Sequence, residues 1–170
     1  MALNIRMAEE RDAATVGELT ERAYRADGFP ISEKYAARLR DAAARISGAT
    51  VLVAELNGDI VATVTLALHG SQWAEIAEPD ELEVRMLAVA PEARRQGIAA
   101  MLLSDAMRQV QNLGLNALVL SSEAPMSGAH RLYEKRGYTR QPDRDWSVTG
   151  YEMLVYRRDA DPPSSASSVT

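Results

Sequence analysis

The sequence predicts an α/β domain built on a mixed sheet. Two observations carry that reading. Stretches with the period-two pattern of strands alternate with stretches of helical period along most of the chain. Early in the chain, two β-branched runs are joined by Asn57-Gly58-Asp59, a strong hairpin signal, so the sheet is not purely parallel. The 170 residues suffice for one domain with a real core, and no internal repeat divides them.

The elements follow in order. LNIRMA (Leu3–Ala8) alternates apolar and polar residues and reads as a strand. Glu9–Ala26 and Ser32–Ile46 read as helices, parted by the breaker DGFP, with Ser47-Gly48 ending the second. TVLVAEL (Thr50–Leu56) and IVATVTLAL (Ile60–Leu68) flank the hairpin turn. After a loop, ELEVRMLAV (Glu81–Val89) is a strand stopped by Ala90-Pro91. Gly97–Leu113 is the clearest helix. Ile98, Leu102, Ala106, Val110 and Leu113 share an apolar side, and Gly114 suits the residue after its end. ALVLS (Ala117–Ser121) is a short buried strand, Ser127–Arg136 a helix ended by Gly137, and YEMLVY (Tyr151–Tyr156) a last strand. Residues 1–158 make the domain. The tail from Asp159 to Thr170 is low in complexity and is expected to be disordered.

Composition removes several function classes. A net charge of −5 is a poor match for a nucleic-acid backbone and tolerates a cationic partner such as an amine. No apolar run reaches the roughly 18 residues of a membrane span, and the first ten residues lack the apolar segment of a signal peptide. The cytoplasm is the simplest expectation. The chain has no cysteine, which excludes disulfides, a thiol nucleophile and cysteine-based zinc sites. His69 and His130 have no metal-ligand spacing, and no metal site is read.

The stretch EARRQGIAAMLLSDAM (Glu92–Met107) poses a problem of charge. A helix begins at Gly97 without a capping Ser, Thr, Asp or Asn, and Arg94 and Arg95 stand where the helix dipole favours anions. A phosphate group resolves both difficulties: the unpaired N–H groups of the first turn and the two guanidinium groups would all face it. The alternative is a pair of solvated arginines. The loop is neither a P-loop nor a dinucleotide fingerprint, because Gly-Lys-Ser/Thr and Gly-x-Gly-x-x-Gly are missing.

RMLAVAPEARRQGIAAMLL (Arg85–Leu103) resembles the acetyl-CoA-binding segment of the GNAT superfamily of N-acetyltransferases. That family's loop reads Arg/Gln-x-x-Gly-x-Gly/Ala, which Arg94, Gly97 and Ala99 match. AHRLYEKRGY (Ala129–Tyr138) is similar to the family's late helix, at the usual distance and in the usual order. The resemblance implies a GNAT-like mixed, mostly antiparallel central sheet flanked by helices. It also implies acetyl-CoA as cosubstrate, with its pyrophosphate on the backbone of Arg94, Arg95, Gln96, Gly97, Ile98 and Ala99 and Ala100 at the edge. Leu87, Ala88 and Val89 would pair with the pantetheine arm, the Leu87 amide facing the thioester carbonyl.

Acylation of an amine needs a base for its proton, a donor for the oxyanion and an acid for the leaving thiolate. The resemblance makes Tyr133 the acid; its other reading is a core aromatic. Glu83 is the candidate base. By strict alternation it shares a face with Arg85, Leu87 and Val89, and it stands where some family members carry a basic glutamate. Its other reading is a solvated carboxylate paired with Arg85, and Glu81 is a weaker substitute. Where other members have an acidic residue on the next strand, this chain has Ser121, which at most holds a water; Glu123 is expected to point elsewhere. Many relatives have Asn before the late helix. Here Ser127 stands in PMSG, as a helix cap or a cofactor contact. Trp73 and Trp146 fall in loops that would shape a pocket.

The leading function is transfer of an acetyl group from acetyl-CoA to a primary amine, directly in a ternary complex, since no cysteine can carry the acyl group. The alternatives are a non-catalytic acyl-CoA-binding or sensing domain on the same fold, and an interaction domain with a vestigial site. The identity of the amine and a homodimeric state are left open by the sequence.

Overall fold

The computed structural model describes residues 2–28, 30–148 and 150–162; most of the tail expected to be disordered lies outside them. One sheet of eight strands forms the centre. The strands are β1 (Leu3–Met7), β2 (Thr50–Leu56), β3 (Asp59–Leu68), β4 (Glu81–Val89), β5 (Ala117–Glu123), β6 (Thr139–Arg140), β7 (Trp146–Val148) and β8 (Tyr151–Asp159). Their order is β1-β2-β3-β4-β5-β8-β6, with β7 also on β8. Only β4 and β5 are parallel. The expected mixed, mostly antiparallel sheet is present. The β2–β3 hairpin turns on Asn57 and Gly58, both at positive φ, as a two-residue turn requires.

The helices are α1 (Ala13–Ala26), α2 (Glu33–Arg40), α3 (Ala42–Gly48), α4 (Ile98–Asn112) and α5 (Ser127–Lys135). The single helix expected over Ser32–Ile46 is two. Asp41 ends α2 with a ψ of 67° and its carboxylate accepts from the Ala44 amide at the start of α3. Asp is an ordinary helix residue by periodicity, but its side chain competes for backbone donors and so breaks the run. β7 lies in a stretch expected as loop, and β6 was given no assignment; both are too short for a period-two pattern. β8 runs on to Asp159, and the Ala160 amide bonds the Asn116 carbonyl, so the strand outlasts the expected start of the tail. Leu113, read as part of the apolar side of α4, is 50% exposed at the helix end.

One sheet face carries Leu52, Val64, Leu66, Leu82, Val84, Leu118, Leu120 and Tyr156, and these form the main core with Leu102, Leu103 and Ala106 of α4 and Tyr133 of α5. On the other face, Val51 and Val53 pack on α1 and α3 through Val16 and Ala42. Further along that face, Val119 and Val155 are covered by Ala77 of the 69–80 loop. Helix α1 crosses the end of α2 closely: a Cβ built on Gly17 would fall 2.1 Å from the carbonyl oxygen of Arg40.

That contact fixes the sign of a substitution. Ala in place of Gly raises helix propensity by about 1 kcal/mol, but overpacking against backbone costs about 1–3 kcal/mol. Gly17→Ala is therefore expected to lower stability by up to about 2 kcal/mol in urea unfolding. Equal or higher stability would show that α1 does not dock so tightly on the α2–α3 junction.

Candidate functional site

The site begins with a defect in β4. Thr65 pairs with Arg85 and Thr63 with Ala88, so Met86 and Leu87 stand against Val64 alone. This is a β-bulge, and Met86 takes a φ of +50° to make it. Just before the bulge β4 leaves β5. Their pairing ends at Val84–Leu120, although β4 continues to Val89 and β5 to Glu123. A wedge opens between the two strands, and a cavity of about 640 Å³ fills it. Leu87 lines one side and Ser121 to Glu123 the other, with Tyr133 of α5 and Tyr24 and Tyr35 from α1 and α2 closing it.

The bulge corrects one expectation. Alternation places Glu81, Glu83 and Arg85 on one face, but the extra residue passes that face to Ala88 and not to Leu87. Glu83 thus lies on the face of the 69–80 loop. Tyr133 packs on the opposite face with Tyr156 and Leu120. The two candidate catalytic groups come from opposite sides of the sheet, and both line the cavity in the wedge.

Glu83 is 1% exposed. Its Oε1 accepts from the amides of Glu75, Ile76 and Ala77 at 2.8, 2.8 and 3.0 Å. Among the described residues no partner meets Oε2. Burial pushes its pKa above the ordinary carboxylate value, against the pull of the three amides. Arg85 does not pair with it. The guanidinium holds Glu75 at 2.5 Å and donates to the Trp73 carbonyl. Glu81, the weaker substitute, is held by Arg144 and Arg157 at 2.8 and 2.6 Å, its pKa lowered to about 2, and it does not line the cavity. A carboxylate so stabilised is a poor proton acceptor.

Tyr133 is held by the end of its own helix. Gly137, at a φ of +90°, turns the chain so that the Tyr138 amide bonds the Tyr133 carbonyl at 2.9 Å. The rings of Tyr138 and Tyr156 then lie 5.8 and 5.5 Å from that of Tyr133. Burial raises the Tyr133 pKa, so the phenol keeps its proton at neutral pH. That is the form an acid needs. His130 belongs to the same packing: its ring is 5.5 Å from Tyr156 and its Nε2 bonds the Glu123 carbonyl.

The glycine loop lies at the far end of β4. Gly97 is the residue before α4, at a φ of +76°, with no side-chain cap. Met101 is the first helix residue whose amide finds a carbonyl, that of Gly97; among the described residues the amides of Ile98, Ala99 and Ala100 meet none. Ile98 and Ala100 bury their side chains, so only their backbone can face a ligand. The two arginines separate. Arg94 is spent on structure, bonding Asp27, the Ala23 carbonyl and the Val89 carbonyl. Arg95 and Gln96 are exposed, and among the described residues Arg95 has no ion-pair partner. Arg22 and Glu92 add a second tie between α1 and this loop.

Other expectations need revision. Ser127 is the first residue of α5 and caps nothing; Met126 holds the cap position. Ser121 already accepts the Trp146 Nε1–H at 2.8 Å, which sets that indole in the cavity wall. Glu123 does not point away. It lines the cavity, its Oε2 is buried without a partner, and burial raises its pKa. Lys34 and Arg38, also in the lining, were missed; their spacing of four on one helix was the available signal. Trp73 is buried beneath Arg38 and is not part of the wall.

A model of the acetyltransferase (GNAT) family matches residues 14–138. The mycothiol acetyltransferase of Pseudarthrobacter chlorophenolicus is 33% identical over 76 residues, which cover 42% of this chain and 24% of that protein; the match thus spans about a quarter of that relative. Among solved structures, the PaiA N-acetyltransferase of Thermoplasma acidophilum, in complex with coenzyme A, aligns at a TM-score of 0.72 and 17% identity, covering 94% of this chain and 99% of that one. YncA of Salmonella typhimurium, solved with its cofactor acetyl-CoA, aligns at 0.69 and 20% identity, covering 97% and 98%. These two likenesses speak for the fold. No helix among the described residues is long and apolar enough to cross a membrane.

The loop geometry yields a test. Nothing lies within 4 Å of a Cβ built on Gly97, so space does not forbid a side chain there; the positive φ does. Gly97→Val is expected to remain folded but to shift the first turn of α4. Affinity for coenzyme A by calorimetry should fall by about tenfold or more, the loss of one or two charge-assisted amide bonds. Unchanged affinity would remove this loop from the site.

Proposed function

The chain belongs to the acetyltransferase (GNAT) family, and on that premise we propose that it moves an acetyl group from acetyl-CoA to a primary amine by direct transfer in a ternary complex. The observation that carries this reading is the wedge between β4 and β5. It brings a buried carboxylate with one oxygen uncommitted and a protonated phenol to one cavity from opposite sheet faces. The pyrophosphate of acetyl-CoA would sit on the amides of Arg94–Ala100, with Arg95 as its mobile counter-charge and Arg94 bracing the loop from behind. The pantetheine arm would enter along Leu87, Ala88 and Val89, where β4 has parted from β5.

The chemistry then assigns itself by position. The amine nitrogen attacks the thioester carbonyl carbon, and the oxyanion takes the Leu87 amide. The amine's proton passes to Oε2 of Glu83, directly or through one water. The C–S bond breaks, and the departing sulfur takes a proton from Tyr133. The products are an amide and free coenzyme A. The absence of cysteine leaves no thiol to hold the acetyl group between half-reactions.

The alternative is a domain that binds acyl-CoA without turnover. The three amides on Glu83 Oε1 favour it, because they give this residue a purely structural task in holding the 69–80 loop. A screen of amines for coenzyme A release separates the two readings, since a binding domain releases none with any amine.

Two substitutions test the roles. Tyr133→Phe should keep coenzyme A affinity and lower turnover by about 10²–10⁴, the usual worth of a general acid; near-parental turnover would make Tyr133 a packing residue. For Glu83, the sign of the pH effect is decisive. The parent should gain activity as pH rises through the raised pKa of Glu83 and then level. Glu83→Gln keeps an acceptor for the loop amides but cannot take a proton. Its rate should climb about tenfold per pH unit toward the amine's own pKa, about 10.4 for a lysine-like amine. Parental rate and profile in that variant would remove Glu83 from the mechanism.

A further inference from the structure

The charges that line the cavity are not evenly spread. Asp27 is committed to Arg94 at 3.0 Å and Glu75 to Arg85 at 2.5 Å. Two lining cations remain without a carboxylate among the described residues: Lys34 and Arg38. They stand four apart on α2, hence on one face of that helix, where like charges repel. Arg38 is not a free surface side chain. Its guanidinium lies 5.0 Å from the centre of the Trp73 ring and donates to the Gln72 carbonyl at 3.1 Å, which fixes its direction.

A third cation stands behind them. Arg45 is 1% exposed and meets no carboxylate among the described residues. Nη1 bonds the Arg38 carbonyl at 2.8 Å, and the buried Nε has no partner. A buried charge without a counter-ion is costly to hold, and here it adds to the positive potential at the α2 side. On the strands that line the wedge, the uncommitted groups have the opposite sign: Oε2 of Glu83, and Glu123 with its buried, unpartnered Oε2. The α2 part of the lining thus seeks an anion and the strand part a cation.

Resting on the acetyl-transfer reading above, we infer that the acceptor is a small amine that also carries a carboxylate, an amino acid in the first instance, with its carboxylate seated by Lys34 and Arg38 of α2 and its amine toward Glu83 and Glu123. The orientation follows from the chemistry. The amine must reach the wedge, where β4 presents Leu87 and the thioester would lie. The carboxylate then extends toward α2. A plain diamine would leave the two cations of α2 unanswered, and a neutral amine would leave the cation side without a ligand. Glu123 is a positioning residue here, aligning the ammonium before Glu83 takes its proton.

The test uses the full chain with saturating acetyl-CoA. Common amino acids are compared, each beside its own carboxamide, by coenzyme A release. The amide's amine is less basic and more nearly neutral at pH 7.5, so reactivity alone favours the amide. Carboxylates are expected to exceed their amides in kcat/KM by about tenfold or more, the worth of a charge-assisted pair. Lys34→Gln and Arg38→Gln, tested separately so that loss of the Trp73 contact is not mistaken for loss of the seat, should each pull that ratio toward one, mainly through KM. A second measurement needs no turnover: calorimetry of N-acetyl amino acids and their N-acetyl amides on the protein loaded with coenzyme A. Amides that react as well as the acids, or variants that keep the parental ratio, overturn the carboxylate seat and leave acetyl transfer standing. Tight binding of the N-acetyl acids, lost in both variants, with no release from any amine, upholds the seat and overturns acetyl transfer. Neither reaction nor selective binding overturns both.

Discussion

The parting of β4 from β5 is the constraint on which the rest of this structure depends. Parallel neighbours ordinarily stay paired along their length, because each unpaired peptide group needs another partner. Here the pairing lasts four residues and stops at Val84–Leu120. A local distortion accompanies it: Met86, in a left-handed conformation two residues on, inserts one residue against Val64. A left-handed non-glycine residue costs of order 1 kcal/mol, and the neighbouring core of Val84, Leu102 and Leu120 offsets it. The gap left by the parting lets groups from opposite faces line one cavity.

The second feature is the polar row on the buried face of β4. Glu81, Glu83 and Arg85 occupy positions where a covered strand would ordinarily carry apolar residues. Each is answered by a different segment: Glu81 by Arg144 and Arg157, Glu83 by three loop amides, Arg85 by Glu75 and the Trp73 carbonyl. The row therefore ties the 69–80 loop, the turn before β7 and strand β8 to the strand that bears the bulge. The result is a cross-linked wall on one side of the wedge. The loop bonds to Glu83 use one carboxylate oxygen and leave the other.

Much of this was legible in the sequence, and the failures share a cause. Period-two runs and glycine stops located β2, β4, α4 and α5 within a residue or two, because burial on one face imposes the pattern directly. The start of α4 at Gly97 without a side-chain cap was readable as well; the left-handed conformation of Gly97 was not. What escaped was set by side chains acting on backbone, or by pairing between distant segments. Asp41 divides a helix that periodicity runs through. The bulge moves Leu87 off the face of Glu83, and nothing in ELEVRMLAV signals it. Arg94 looks like a ligand for phosphate, yet Asp27, 67 residues earlier, takes its charge. Of two adjacent arginines, sequence alone gives no means of telling which is tied down.

The charge balance shows the same difference between total and local quantities. A chain at −5 suggests that cations are welcome anywhere on it. Most of its carboxylates, however, are committed: Glu21 to Arg25 and Arg40, Glu92 to Arg22, Asp145 to Arg140, Glu81 to Arg144 and Arg157. What a ligand meets is the residue left after those pairs are removed. In the cavity that residue is two cations on α2, with a buried third behind them, and two carboxylates on the strands. Field lines in a low-dielectric cleft follow these few groups and not the sum over the surface. A field of this kind favours a ligand that carries both signs over one that carries either alone.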